Sequence, residues 1–338
     1  MKELIKESLM PFWRGVMRGE SVILVERCGR AAGKLMFVPK GPVRVTAGGK
    51  LFREVLDYKV YGNEIIALSD KLPRIMAEWL SGENLPKEIE KYQGMYGLGK
   101  HLFAESSFFM ARQISVDYSY NADEWKFNFA RFPENILPRF KKLLLKKAAI
   151  KIILYGDSIS MGISSKNYNI PPYLPPWFEL FTLALENKYG AKIELFNISE
   201  GGRSAAWAAE HIAERQGARE ADLMIIAFGM NDATGHVPKD EFIKDIRRLM
   251  DYQRNDCEFI LIGNMVANPA CPFTGDYRGL ANALKALQNE HTAAVDVGAL
   301  HEYLLTRKNY LDMTQNNVNH PDDFLSRCYA ISLLEIFN

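Results

Sequence analysis

Five short apolar runs, at 151–155, 192–197, 222–228, 258–263 and 293–297, alternate with helical patterns at 177–189, 204–216, 239–252 and 275–290. A helix between successive strands returns the chain to the same end of the sheet, so the strands must lie parallel and be covered on both faces. Five strands in this layout predict a doubly wound, flavodoxin-like α/β/α domain, closed by a helix from about Pro321 to Phe337. Right-handed crossovers bring the carboxyl ends of the first and third strands to one crevice, the edge where such sheets bind ligands.

The first half follows another pattern. Runs at 21–25, 34–38, 42–46, 55–60 and 64–68 are short and separated by Gly, Pro and Asn, after a short helix at 3–9. This spacing predicts an antiparallel β-sandwich of jelly-roll type. Residues 82–100 read as a loop excursion, after which Phe108-Phe-Met and 113–120 close the sandwich. The segment Pro138–Lys147 mixes five basic residues with apolar ones and reads as a solvated helix face. Two domains follow, 1–145 and 146–338, in keeping with 338 residues. Most of the aromatic residues of the first domain are expected in its core.

With 48% hydrophobic and 25% charged residues, the composition is that of an ordinary globular chain. A net charge of +1 gives no electrostatic reason to expect nucleic acid or an anionic membrane as partner. No apolar run approaches the ~18 residues of a membrane span. The N-terminus has no uninterrupted apolar core, so no signal peptide is read and a cytoplasmic location is expected. Cys28, Cys257, Cys271 and Cys328 lack metal-ligand spacing and are expected as reduced thiols. No metal or nucleotide signature is present, so no cofactor is expected, and self-association into a homo-oligomer stays open.

Four short motifs stand just past strand ends or in a late loop: Gly156-Asp-Ser158, Gly201-Gly202-Arg-Ser204, Gly229-Met-Asn231-Asp232 and Asn317-Val-Asn-His320-Pro321. Each alone is an ordinary turn or helix start. In this order they resemble the SGNH hydrolases, the GDSL-type esterase and acylhydrolase superfamily, over about residues 150–338. The resemblance carries over Ser158, Gly202, Asn231 and His320 as the family's four invariant positions. An N-terminal β domain beside such a domain looks like bacterial carbohydrate esterases that remove acetyl groups.

The chemistry that the resemblance implies needs a nucleophile, a base and an oxyanion site. Ser158 would attack the acyl carbon while His320 takes its proton and later returns one to the leaving oxygen. The N–H groups of Ser158 and Gly202 and the amide of Asn231 would hold the oxyanion. The family's common Asp three residues before the histidine is Asn317 here. The expectation is therefore a Ser158–His320 dyad oriented by an uncharged group near residue 317, with Asp312 as the displaced acid if that fails. Tyr155 and the loop 171–177 are expected to border the nucleophile, with Tyr173 and Trp177 of that loop as a ring-stacking wall. An acetyl ester of a carbohydrate is the preferred substrate. A short-chain thioesterase or lysophospholipase, an O-acyltransferase, and a catalytically quiet carbohydrate-binding protein stand as alternatives.

Overall fold

In the computed structural model, residues 2–105, 107–162, 171 and 173–338 are described. Nine strands form two small sheets in the first half. They are β1 (Val16–Ile23), β2 (Val25–Arg27), β3 (Arg30–Lys34), β4 (Lys40–Ala47), β5 (Lys50–Phe52), β6 (Tyr58–Tyr61), β7 (Glu64–Ala67), β8 (Ile75–Met76) and β9 (Gln113–Ser119). One sheet has the order β1-β9-β4-β5 and is antiparallel throughout. The other has the order β6-β7-β3-β2-β8, with a parallel pairing of β2 and β8 that the antiparallel expectation did not contain. Val22, Val45 and Val116 of the first sheet share a core with Ala31, Tyr58 and Ile65 of the second. The Tyr58 hydroxyl donates to the Val43 carbonyl at 2.5 Å, tying the sheets together.

Two expectations for this half change. The second strand ends at Lys34 rather than beginning there, because Cys28 and Gly29, both at positive φ, close a two-residue hairpin between β2 and β3. Phe108-Phe-Met is a turn entering a short 3-10 helix (Met110–Arg112), and no strand. Its rings instead fill a small cluster with Ile23, Ile75 and Ile89, the last from a short helix (Lys87–Glu90) inside the predicted excursion.

The second half has strands β10 (Ala149–Gly156), β11 (Lys192–Asn197), β12 (Leu223–Ala227), β13 (Glu258–Gly263) and β14 (Thr292–Asp296). All four pairings are parallel, in the order β11-β10-β12-β13-β14. This is the flavodoxin-like order, and the strand order reverses between β10 and β12. Strands β12 and β13 are buried at every residue, as a sheet covered on both faces requires. Helices Trp177–Tyr189, Ala205–Gln216, Lys239–Asp251, Tyr277–Lys285 and Asp323–Leu334 lie where the periodicity placed them.

The two halves are not strung on a linker. The helix Pro138–Leu145 buries Phe140 and Leu144, and Phe140 meets Phe337 edge-on at 5.9 Å. Phe12 packs on Phe324 and Trp125 on Tyr303, so one apolar core runs through both halves. Buried polar contacts follow the same seam. Lys308 Nζ lies 2.5 Å from Glu20 Oε1 of β1, both side chains fully buried. Glu20 also accepts from the Met36 amide and the Tyr118 hydroxyl. Burial opposes the Lys308 charge, yet Glu20, with Asp312 behind it, holds the ammonium above its usual pKa. All four cysteines are free.

Candidate active site

Strand β10 ends in Gly156, where a Cβ would come within 2.3 Å of Ser160 Oγ and 2.7 Å of the Ala227 carbonyl. Only glycine permits so close an approach at the crossing to β12. The Asp157 carboxylate then caps the helix Ser158–Met161 by accepting from the Ile159 amide at 3.0 Å. Ser158 is thereby fixed at the carboxyl edge of the sheet. Burial, with Asp232 nearby, pushes the Asp157 carboxyl up to about 7.

The loops after β11 and β12 close around this point. The Ser199 hydroxyl accepts from the Gly156 amide at 3.0 Å. A Cβ on Gly201 would lie 3.6 Å from Ser158 Cβ, which places the Gly-Gly turn beside the serine. Gly202 has φ +73° with open space around a Cβ, so the backbone conformation is what demands glycine there. Asn231 donates from Nδ2 to the Arg203 carbonyl at 3.0 Å, which orients the amide toward the same turn and leaves its second N–H for another acceptor. Asp232 accepts from the Ala205 amide at 2.9 Å, and burial pushes its carboxyl up to about 6.

His320 arrives on a loop bound up by its own side chains. Asn316 Oδ1 accepts from the amides of Val318, Asn319 and His320, and Thr314 Oγ1 donates to the His320 carbonyl. His320 Nε2 lies 2.9 Å from Ser158 Oγ, within hydrogen-bonding reach. On the other ring nitrogen, Nδ1 faces Glu105 Oε2 of the N-terminal half at 3.6 Å. Burial works to raise the Glu105 carboxyl, but the His320 ring and Asn316 outweigh it and hold the pKa below the usual glutamate value.

The structure thus brings Ser158, Gly202, Asn231 and His320 to one edge of the sheet, but it does not bring Asn317 to the imidazole. Asn317 sits at φ +62°, donates from Nδ2 to the Leu102 carbonyl and accepts at Oδ1 from Asn268. Its side chain locks the loop against the N-terminal half. Asp312 is committed elsewhere too: it accepts from the Ile23 amide at 2.7 Å, and burial, eased by Lys308, pushes its carboxyl up to about 6. Sequence reasoning missed Glu105, a lone acid in an irregular stretch some 200 residues from the histidine, and no local pattern marks it.

The ring wall also changes. Tyr155 is fully buried with its hydroxyl on the Ala208 carbonyl, and Trp177 is buried with Nε1 on the Ile159 carbonyl. Of the three expected rings only Tyr173 is exposed, and Pro172 of that loop lies outside the described residues. A cavity of about 500 Å³ opens where β1, β4 and β9 meet Pro171, Leu174 and the final helix. Arg18, Arg44, Gln113, Asp117 and Arg327 give it a polar lining. Among the described residues no group of three or more His, Cys, Asp or Glu is arranged to hold a metal ion, and no helix is long and apolar enough to cross a membrane.

A model of the GDSL-like lipase/acylhydrolase family matches residues 154–324, half of the chain, and the match takes in all four motifs. No curated protein matches the chain in sequence. Among solved structures, it is similar to a two-domain esterase (CEX) active on acetylated mannans, at 17% identity and TM-score 0.49. That alignment covers 60% of this chain and 53% of the other, so the chain spans about half the length of that relative. It is also similar to a catalytic mutant of Axe2, an acetylxylan esterase from Geobacillus stearothermophilus, at 19% identity and TM-score 0.46, covering 55% of this chain and 94% of that one. A third is TesA, at 16% identity and TM-score 0.40, covering 54% and 95%. These likenesses are too distant to carry a substrate across.

Proposed function

Because the chain belongs to the GDSL-like lipase/acylhydrolase family, and with it to the carboxylic ester hydrolases, we propose that it cleaves short-chain esters, acetyl first, through an acyl-enzyme on Ser158. The observation that carries this reading is the 2.9 Å approach of His320 Nε2 to Ser158 Oγ beside the Gly202 turn and the Asn231 amide.

In the first half-reaction Ser158 Oγ attacks the acyl carbon and His320 Nε2 takes its proton. The carbonyl oxygen becomes an oxyanion, met by the amides of Ser158 and Gly202 and the free N–H of Asn231 Nδ2. These donors are held before reaction by the Asp157 cap, the Asp232–Ala205 bond and the Asn231–Arg203 bond, so little reorganisation is left for the transition state. The imidazolium then gives its proton to the leaving alcohol. Water repeats the sequence on the acyl-enzyme and releases the acid.

The alcohol half is read as a carbohydrate. Support comes from the exposed ring of Tyr173 and from the polar lining of the cavity bounded by Pro171 and Leu174, a cavity that none of Ser158, Gly202, Asn231 and His320 lines. Hydroxyl-rich ligands suit a lining in which arginine donates, an ionised carboxylate accepts and glutamine does both.

The test is p-nitrophenyl acetate hydrolysis by the wild type and Ser158→Ala, followed by an acyl-length series and acetylated oligosaccharides. Turnover that vanishes in the mutant and falls with chain length supports the reading. Equal rates in both proteins remove Ser158 as nucleophile. Preference for long acyl chains would replace the acetyl assignment with a lysophospholipase-like one.

A further inference from the structure

We propose that Glu105, carried by the N-terminal domain, is the carboxylate that orients His320 and pairs with its charge, so that the site is assembled from both domains. The inference rests on the Ser158–His320 reading above and adds a residue to it that the SGNH motifs do not contain.

The geometry is that of a three-membered relay with its acid supplied from outside the α/β domain. Nε2 of the ring faces Ser158 and Nδ1 faces Glu105 Oε2. The 3.6 Å separation is longer than a hydrogen bond and short enough for a charge contact. Catalytic contacts of this kind are often loose before substrate binds and tighten in the complex. Glu105 is itself held, since Asn316 Nδ2 donates to its Oε1 at 3.3 Å, and the same Asn316 gathers three amides of the His320 loop through Oδ1. Acid and base are thus fastened to one asparagine. The carboxylate side chain keeps 31% exposure, and the histidine 8%, so the pair is partly shielded from solvent.

The common position for the acid, three residues before the histidine, holds an amide whose two ends are both engaged by other groups. Other titratable groups near the imidazole have separate tasks. Asp157 caps Ile159, Asp322 caps Leu325 at 2.9 Å, Asp323 lines the cavity, and His101 Nε2 meets the Asn317 carbonyl at 2.9 Å. Glu105 is therefore the carboxylate placed to favour the imidazolium that forms when Ser158 loses its proton. Glu105 acts through His320 and is a positioning residue.

Glu105→Gln keeps the shape and removes the charge. Expected is a fall in kcat of roughly 10²–10⁴-fold with KM little changed, by analogy with the serine-protease Asp→Asn case. The acid limb of the kcat/KM profile should move to lower pH, because the neutral imidazole is then favoured over the imidazolium. Glu105→Asp should recover part of the loss. A second readout is independent of turnover: in a Ser158→Ala background, the ¹⁵N-imidazole titration of His320 should move to lower pH when Glu105→Gln is added. Unaltered kcat and pH profile in a folded Glu105→Gln overturn the proposal. So does a lost rate with an unmoved pH profile and an unmoved His320 titration, which marks a structural role. If instead Ser158→Ala leaves turnover intact, the reading of Ser158 as nucleophile fails while the titration still reports on the Glu105–His320 pair.

Discussion

The serine side and the histidine side of the site are built on different principles. Ser158, Gly202 and Asn231 stand at the ends of three neighbouring strands, and nearly every bond that fixes them comes from within the same sheet and its loops. His320 stands on a loop with no strand beneath it. Its holding contacts reach into the N-terminal domain: Gln113 to the Thr314 carbonyl, Gln315 to Gln113, Asn317 to Leu102 and Asn316 to Glu105. Lys308 and Asp312, just ahead of that loop, are tied to Glu20 and Ile23 of β1. The proposed nucleophile, Ser158, is held within one domain; the proposed base, His320, is held by both. The N-terminal domain is thus part of how the histidine is held.

The largest effect should come from joining the two sides. Ser158→Ala and His320→Ala should each lower kcat on p-nitrophenyl acetate by roughly 10⁵–10⁶-fold, and the double variant should be no worse than either, as for groups that act as a unit. Additive losses would separate the pair. Next is the seam beneath the histidine loop. Lys308→Met leaves the Glu20 carboxylate buried without its counter-charge and should cost about 3–5 kcal/mol in urea unfolding. A loss no larger than that of Asp232→Asn on the serine side would break the asymmetry argued here. On the serine side, Asn231→Ala should lower kcat about 10²–10³-fold with KM nearly unchanged. Asn317→Ala should do the reverse. It removes the donor to the buried Leu102 carbonyl and one of the two acceptors of Asn268 Nδ2, and costs about 1–3 kcal/mol of stability while kcat per folded molecule changes little. A kcat loss matching that of Glu105→Gln would restore Asn317 as the orienting group.

The last effect is a pH slope, to which Asp157 and Asp232 on the serine side contribute together with Asp312 of the seam. Asp157 and Asp232 have carboxyls raised in the folded protein to about 7 and about 6, against about 3.9 unfolded. Between those limits the native state holds protons that the unfolded chain has lost, so these groups make stability fall as pH rises from about 4 to 7, by at most about 1.4 kcal/mol per pH unit for each. Asp157→Asn keeps an acceptor for the Ile159 amide and carries no charge. Its stability relative to the wild type should therefore improve as pH rises through that window, measured by urea unfolding at successive pH values. A difference independent of pH would show that Asp157 is not buried as a carboxylic acid.

The serine side was legible in the sequence for a local reason. A β-branched run that stops at Gly-Asp-Ser writes strand, turn and cap within ten residues, and the alternation of strands with helices fixes which strand ends are neighbours. The expected rings at Tyr155 and Trp177 failed because proximity to Ser158 in sequence does not say which face a side chain takes; both point into the core. The residue at 317 was misread for a related reason. Spacing from the histidine suggested a role, but a left-handed backbone at 317 turns the amide toward Leu102 and Asn268.

What the sequence by itself determined is the parallel sheet, its strand order and the four residues at its edge. The sheet and its order follow from periodicity, and the four residues from motifs whose order resembles that of the family. Only the tertiary structure decided which acid faces His320 and how the histidine loop is held. Those contacts join residues some 200 to 300 positions apart. Nothing in local propensity encodes them, because they exist only once burial of the shared core has pressed the two domains together.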